Sequence, residues 1–186
     1  MEYNETSRKL REGIVGKFVL GVIAGVVLVV LSGYFYFASG SAPVATSATP
    51  MPFEKMLAHK ALNAVIEREM PKSVPIRVDE SGYAAGAQVY RQNCAVCHGL
   101  PGQPESEIAH GMFPYPPQLF KGHGVTDDPA GETFWKATNG IRLTGMPGFK
   151  GVLSETELWQ VSVMLADADK LPQPVKDSLA NNKPAK

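Results

Sequence analysis

The longest apolar stretch of the chain lies near its N-terminus. Residues 18–38 contain no charged side chain over 21 positions, whereas residues 1–17 are polar and partly basic. At about 1.5 Å per residue, a helix of this length spans roughly 30 Å, the thickness of the hydrocarbon core of a bilayer. The pattern predicts a transmembrane anchor at 18–38, followed by a flexible tether at 39–52 that is rich in Ser, Ala, Thr and Pro.

Basic residues are distributed unevenly around this span. Four precede it and none follows until Lys55; the four are Arg8, Lys9, Arg11 and Lys17. Positive charge favours the cytoplasmic side, which predicts a cytoplasmic N-terminus at 1–17 and places the remainder on the periplasmic or extracytoplasmic side of the inner membrane. A cleaved signal peptide is the alternative, because small residues follow the span. Its apolar core would, however, exceed the usual length of roughly 7 to 15 residues.

The segment after the tether has a helical spacing of apolar residues. These recur every four positions, at Phe53, Leu57, Ala61 and Val65, and Pro71 ends the pattern. We expect an amphipathic accessory helix with its linker at 53–78. Its apolar face could pack on the following domain, lie on the membrane or meet a partner protein.

Residues 79–98 are expected to begin a compact domain that extends to residue 172. One face of this helix holds three residues at four-residue intervals: Gly86, Tyr90 and Cys94. A glycine at position 86 lets another helix approach closely. The natural partner is the segment 154–168, which opens with the capping-box pair Ser154 and Glu157 and has apolar residues along one side.

The chain between these two helices is irregular. Residues 99–131 are rich in proline and glycine, and only a short helix is expected after them, at 132–138. So much irregular chain cannot build a core from its own secondary structure, which favours a bound group at the centre of the domain. No segment outside the membrane span has a convincing strand pattern. The predicted fold class is all-α, with a polar tail at 173–186.

Charge narrows the functional classes. The 186 residues include 18 basic and 18 acidic side chains, and this balance argues against a general affinity for nucleic acid. Residues 79–172 alone have six basic and eleven acidic side chains. The acidity of this domain favours a basic surface on a protein partner, with an effect mainly on the rate of encounter.

The only two cysteines belong to one short motif, Cys94-Ala95-Val96-Cys97-His98. Two thiols separated by two residues on one turn can bond the vinyl groups of a haem, and the histidine that follows can ligate its iron. The motif predicts one covalently bound haem c. A zinc site is the first alternative, but its fourth ligand would have to come from a distant histidine or a carboxylate. A redox dithiol is the second, but it should follow a strand.

The second axial ligand decides between electron transfer and chemistry at an open iron. The candidates are two histidines and three methionines: His110, His123, Met112, Met146 and Met164. Met146 is favoured, because Pro147 excludes a helical conformation and the flanking glycines let the backbone lie close to a flat ring. It also follows His98 by 48 residues, enough chain to pass around the haem edge.

The motifs occur in a specific order. After Gly86, Tyr90 and the cysteine motif come Pro117-x-Leu119, Asn139-Gly140 and Gly145-Met146-Pro147, followed by the last helix. With this order, the segment from about 81 to 170 resembles the class I c-type cytochromes. The resemblance implies a small helical fold in which the N- and C-terminal helices cross.

The same resemblance implies roles for individual residues. Cys94 and Cys97 would bind haem covalently, with His98 as the proximal and Met146 as the distal axial ligand. The carbonyl of Pro117 would accept a hydrogen bond from the second imidazole nitrogen, and Pro116 is close enough in sequence to be the alternative. Two more residues could contact the haem propionates, although ordinary packing or surface roles suit them equally well: Trp135 and Arg142.

His/Met ligation fills both axial positions, which implies an electron-transfer protein that binds no small-molecule substrate and is not itself an enzyme. We expect a one-electron carrier, tethered to the membrane, that serves redox partner proteins of a respiratory or photosynthetic chain. The alternative is a permanent subunit of a larger membrane redox complex. A catalytic or gas-sensing haem would require that Met146 does not ligate, and no carboxylate or histidine pair near it supports that reading.

Overall fold

The computed structural model describes residues 2–77, 79–121 and 126–180, with side chains from residue 13 onwards. It consists of two compact units, Met1–Met51 and Pro52–Lys186. Within the described residues there are eight helices and no β-strand, apart from an isolated bridge between Lys150 and Leu153. The helices are α1 (Glu2–Ala38), α2 (Glu54–Glu69), α3 (Glu80–Asn93), α4 (Ala95–His98), α5 (Glu107–His110), α6 (Ala130–Asn139), α7 (Glu155–Ala166) and α8 (Gln173–Ala180). The all-α prediction is confirmed.

The first unit contains the long helix α1. Its apolar part is the 26-residue span Gly13–Ala38, in which an 18-residue window has a mean hydropathy of 2.7 and none of that window is buried. The helix is therefore long and apolar enough to cross a membrane. It begins at Glu2, upstream of the predicted start at residue 18, so most of the polar N-terminal segment is helical as well. Residues 39–53 form no helix or strand.

In the second unit, helices α3 and α7 cross at Gly86. A Cβ atom at this position would lie 2.4 Å from the carbonyl oxygen of Gln160 and 3.0 Å from the Cβ of Met164. The prediction that Gly86 permits close approach of the last long helix is thus confirmed. A second contact joins the N-terminal part of α3 to the C-terminal end of α7: the hydroxyl of Tyr83 donates to Asp167 Oδ2 over 2.8 Å.

The hydrophobic core forms around this crossing. Its buried members are Ala87, Val89, Tyr90, Val161, Met164, Leu165, Leu171, Val175 and Leu179. Helix α6 packs on the other side of α7, where the ring of Phe134 stacks on Trp159 with centroids 4.1 Å apart. Helix α7 begins with the predicted capping box between Ser154 and Glu157. Hydrogen bonds from Ser154 lower the pKa of the Glu157 carboxyl, so this cap is charged at neutral pH.

The C-terminal boundary of the domain was predicted wrongly. Residues 173–186 were expected to form a polar tail, but Gln173–Ala180 form α8, which packs on α3 and buries Val175 and Leu179. This segment is helical and buried because Leu171, Val175 and Leu179 recur every four residues and form one apolar stripe. Residues 181–186 lie outside the described part of the chain.

The accessory helix α2 packs on the haem-motif domain through its C-terminal half. Ile66 is buried, and the indole nitrogen of Trp135 in α6 donates to Glu69 Oε2 over 3.2 Å. Just after α2, the carbonyl oxygen of Pro71 would lie 2.0 Å from a Cβ at Gly131, so only glycine fits at that point of α6. Packing on the domain is thus observed for the C-terminal half of α2, whereas Phe53, Leu57 and Ala61 of the predicted apolar face are exposed.

Candidate haem-binding site

The three side chains of the cysteine motif lie on one tight turn. Cys94 ends α3, and its carbonyl oxygen accepts hydrogen bonds from the backbone nitrogens of Cys97 (3.1 Å) and His98 (2.9 Å). Both thiols are free, and all three side chains are partly buried. The turn therefore presents two thiols and an imidazole to the same neighbourhood, which is what covalent haem attachment with a proximal ligand requires.

Tyr90 holds this turn against the core. Its side chain is fully buried, and its hydroxyl lies 2.7 Å from the carbonyl oxygen of Gly99 and 3.2 Å from that of His98. Its ring and that of Phe120 pack edge to face, with centroids 5.1 Å apart. Burial raises the pKa of Tyr90, so the phenol stays protonated and donates to these carbonyl oxygens. Tyr90, one helical turn before Cys94, thus fixes the end of the cysteine turn at His98 and Gly99.

The imidazole of His98 has one of its two nitrogens occupied. Nδ1 lies 2.8 Å from the carbonyl oxygen of Pro117. Because a carbonyl oxygen can only accept, Nδ1 bears the proton and Nε2 keeps its lone pair for a metal. Burial lowers the pKa of His98, partly offset by this hydrogen bond, and favours the neutral ring that a ligand needs. The carbonyl of Pro116, the alternative in the sequence, accepts instead from Gln118 Nε2 at 3.3 Å.

The segment that contains Pro117 is tied to the cysteine turn by further hydrogen bonds. Gln118 Nε2 donates to the carbonyl oxygen of Cys97 at 3.1 Å, and the backbone nitrogen of Leu119 donates to that of His98 at 3.3 Å. Gly99 directly follows His98 and has φ +73°, and a Cβ at this position would lie 2.2 Å from Gln118 Oε1. A glycine is required at position 99 for both reasons. The proximal side of the site is therefore a rigid assembly of loop and turn.

Met146 lies in the distal loop, which we define as residues 140–149. Its carbonyl oxygen accepts from the backbone nitrogen of Ile141 at 3.2 Å, and its backbone nitrogen donates to Thr144 Oγ1 at 3.1 Å. The same Thr144 hydroxyl donates to the carbonyl oxygen of Ile141 at 2.7 Å. The loop thereby closes on itself around the backbone of Met146.

The base of the distal loop is held by backbone contacts between two glycines and the end of α6. A Cβ at Gly140, whose φ is +69°, would lie 2.5 Å from the nitrogen of Gly148; one at Gly148 would lie 2.7 Å from the carbonyl of Asn139. The backbone nitrogen of Phe149 donates to the carbonyl oxygen of Ala137 at 2.9 Å. Side chains at position 140 or 148 would force the two backbone segments apart, so glycine is required at both.

The other candidates for the distal ligand have different surroundings. Met164 is fully buried in the α3–α7 core, and His110 ends α5 with its Nε2 3.8 Å from a carboxylate oxygen of Glu105. Met112 lies against Gly145 of the distal loop. His123 lies outside the described residues.

The two predicted propionate contacts lie on different elements. The indole nitrogen of Trp135, as noted above, donates to Glu69. Arg142 is an exposed residue of the distal loop, four positions before Met146. A propionate role for either residue stays a prediction.

The alternative chemistries of the cysteine motif fit the structure poorly. Burial, with a smaller effect of Cys97, raises the pKa of the Cys94 thiol to about 12, whereas a redox-active dithiol requires a lowered pKa. No group of three or more His, Cys, Asp or Glu side chains that could hold a metal ion occurs within the described ranges. The donors that are present, two thiols and an imidazole of fixed tautomer, suit a haem c instead.

Two positioning contacts were not predicted from the sequence. Gln118 bridges the cysteine turn to the proline-rich segment, and the hydroxyl of Ser106 donates to the carbonyl oxygen of Val96 at 2.5 Å. For Gln118 the sequence offers no signal. Ser106 could have been identified as a helix cap, because it directly precedes Glu107 at the start of α5.

The fold and the site together define a c-type cytochrome domain, a class of domain that works in haem-based electron transfer. Residues 81–163 match the family model described as "Cytochrome C oxidase, cbb3-type, subunit III". The match covers the cysteine turn, the proline-rich segment, the distal loop and most of α7, so the predicted resemblance to c-type cytochromes is confirmed. A comparison with curated proteins gives no match.

Proposed function

We propose that this protein is a one-electron carrier with a single haem c, bound through Cys94 and Cys97 and ligated by His98 and Met146. The observation that carries the proposal is the hydrogen bond between His98 Nδ1 and the carbonyl oxygen of Pro117, on the same turn as two free thiols. It fixes the tautomer that leaves Nε2 available to iron. When bound, haem c supplies an iron centre that cycles between two oxidation states.

The residues of the chain then set the properties of that centre. The Pro117 carbonyl holds the imidazole in one orientation, and the distal loop would supply the thioether of Met146 from a separate part of the chain. Two protein ligands leave no open position, so the site transfers electrons and does not bind a substrate. A thioether favours the ferrous state, so we expect a relatively high reduction potential.

Helix α1 is the proposed membrane anchor. Its window Gly13–Ala38 has the length and hydropathy of a single span, and the basic residues that precede residue 18 favour a cytoplasmic N-terminus. The cytochrome domain then lies on the periplasmic or extracytoplasmic side. There it would exchange electrons with redox proteins of a respiratory or photosynthetic chain.

A permanent subunit of a membrane redox complex is the second candidate. It is favoured by the family description, which names a subunit of an oxidase. Retention of the haem domain in one detergent-stable complex, after purification from its native membrane, would favour the subunit. A monomer that reduces several soluble acceptors would favour the free carrier.

The test is the optical spectrum of the full chain, made in a host competent for c-type haem attachment and measured oxidised and reduced. We expect covalent haem whose oxidised form has the weak long-wavelength sulfur-to-iron band. Met146→Ala should abolish this band, whereas Met56→Ala, at an exposed methionine of α2, should leave it unchanged. A band that survives in Met146→Ala would reject this ligand, and absence of covalent haem would reject the whole proposal.

A further inference from the structure

One segment of the proline-rich region contacts both the cysteine turn and the distal loop. We call residues 105–112 the bridging segment; it contains helix α5. At its start, Ser106 caps α5: its Oγ accepts from the backbone nitrogen of Ala109 at 3.1 Å and donates to the carbonyl oxygen of Val96 at 2.5 Å. Val96 lies between the two cysteines of the motif. The bridging segment is thus attached directly to the haem-attachment turn.

Further contacts fix the course of the bridging segment. Glu105 forms an ion pair with Lys121 at 2.5 Å and accepts a hydrogen bond from the hydroxyl of Tyr115. Ala109 is buried, and its carbonyl oxygen accepts from the backbone nitrogen of Met112 at 3.2 Å. Both ends of the segment are therefore held by residues outside it or by its own helix, which sets where Met112 lies.

The far end of the segment contacts the distal loop. A Cβ at Gly145 would lie 2.2 Å from Cε of Met112 and 3.6 Å from its Sδ, and the three nearest atoms to that point all belong to Met112. Gly145 directly precedes Met146. The methyl group of Met112 therefore occupies the space that any larger residue at position 145 would take.

The tip of the distal loop is closed by hydrogen bonds among Ile141, Thr144 and Met146, but these bonds join it to no other element. Its base is fixed by the backbone contacts of Gly140 and Gly148, but Leu143 is 92% exposed and has φ +61°, a conformation that a leucine rarely adopts. A loop held at its base and strained at its tip can swing unless a neighbour packs against it. Met112 is the side chain that reaches this part of the loop at Gly145.

We propose that Met112 is a positioning residue that packs against the distal loop and keeps the thioether of Met146 on the iron. This inference rests on the proposed His98/Met146 ligation. Loss of the Met112 side chain would let the loop open more often. An added ligand would then enter faster, and the reduction potential would fall because the thioether that favours ferrous iron is bound less firmly.

The test measures the rate at which imidazole binds the oxidised haem of the full chain in detergent, together with the sulfur-to-iron band and the reduction potential. Met112→Ala should accelerate imidazole binding about tenfold, the change that corresponds to the loss of about two buried methylene groups. The potential should fall by less than the roughly 59 mV that a tenfold change gives for one electron, because the oxidised haem stays mostly ligated by Met146. The band should persist, because Met146 still ligates.

Three comparison variants separate packing from other effects. Met112→Leu keeps most of the volume without sulfur, so its imidazole rate should stay within about twofold of the unmodified protein. Ile108→Ala, at an exposed apolar residue of α5, should leave the imidazole rate unchanged. Ser106→Ala removes the hydrogen bond that attaches the start of the bridging segment to Val96, so it should accelerate imidazole binding by less than Met112→Ala does. This variant supplies the test if Met112→Ala does not fold.

The outcomes distinguish this inference from the proposed function. Unchanged imidazole rates in both Met112→Ala and Ser106→Ala would overturn the positioning role and leave Met146 as the ligand. A Met112→Leu variant as fast as Met112→Ala would also overturn it, because packing would not be the cause. Loss of the band in Met112→Ala, with retention in Met146→Ala, would make Met112 the ligand and reject both proposals.

Discussion

The helix crossing at Gly86 offers the most direct test of how the cytochrome domain is packed. In Gly86→Ala the added methyl group would lie 2.4 Å from the carbonyl oxygen and 2.8 Å from the carbonyl carbon of Gln160. These are backbone atoms of α7, so no side-chain rotation relieves the overlap. Helices α3 and α7 must move apart, and the buried side chains around the crossing lose contact.

The size of the effect follows from two opposing terms. Overpacking of a well-packed interior costs about 1–3 kcal/mol, and the upper value applies here because the overlap is with backbone. Alanine also gains about 1 kcal/mol over glycine inside a helix. The net loss is about 2 kcal/mol of the free energy of unfolding, which lowers the melting temperature of a domain this size by roughly 6–10 °C.

Urea unfolding of the haem-loaded chain in detergent measures this loss. Ala84→Gly is the matched control, because Ala84 is an exposed residue of the same helix and the substitution reports the intrinsic difference alone. We expect this control to be about 1 kcal/mol less stable than the unmodified protein. If Gly86→Ala were instead as stable as the unmodified protein or more so, helix propensity would outweigh packing, and the close crossing would be refuted.

Three further outcomes are expected. The ion pair with Lys121 lowers the pKa of Glu105 below its ordinary value of 4.5, so the stabilisation from this pair is complete above about pH 4.5 and is lost as the pH falls through the lowered value. Urea unfolding at several pH values should therefore show Glu105→Gln as less stable than the unmodified protein at neutral pH, and the difference should vanish at acidic pH. Gly148→Ala would place a Cβ 2.7 Å from backbone at the end of α6, so we expect a loss of about 1–3 kcal/mol in thermal unfolding and a weaker sulfur-to-iron band. Trp135→Phe removes the donor to Glu69, so amide hydrogen exchange in α2 should accelerate. An unchanged reduction potential in this variant would argue against a propionate role.

Local features of the sequence predicted much of this protein. The capping box of α7 depends only on Ser154 and Glu157, three residues apart, and the structure contains it. The haem-attachment motif likewise depends on neighbours along the chain. Gly86 could be identified because a glycine on the same helix face as Tyr90 and Cys94 leaves room for a second helix. Such features are readable because backbone geometry alone brings the residues together.

Other contacts depend on which distant segments meet. The choice between Pro116 and Pro117 as the partner of His98 turns on how a loop approaches a turn about 19 residues earlier, and adjacent carbonyls point in different directions. The contact of Met112 with Gly145 joins residues 33 positions apart and has no sequence signal. Val175 and Leu179 of α8 are four residues apart, yet the sequence predicts a polar tail there, because only the contact with α3 decides that this apolar pair is buried.

The sequence by itself therefore determined the chemistry and the helices: an apolar span, a haem-attachment motif, the caps and the glycine at the crossing. Each of these requires only residues within one helix or one turn. The tertiary structure decided which carbonyl holds the imidazole, what supports the distal loop and where the domain ends. Those outcomes depend on contacts between segments far apart in the chain, and irregular loops rich in proline and glycine have no periodicity from which such contacts could be predicted.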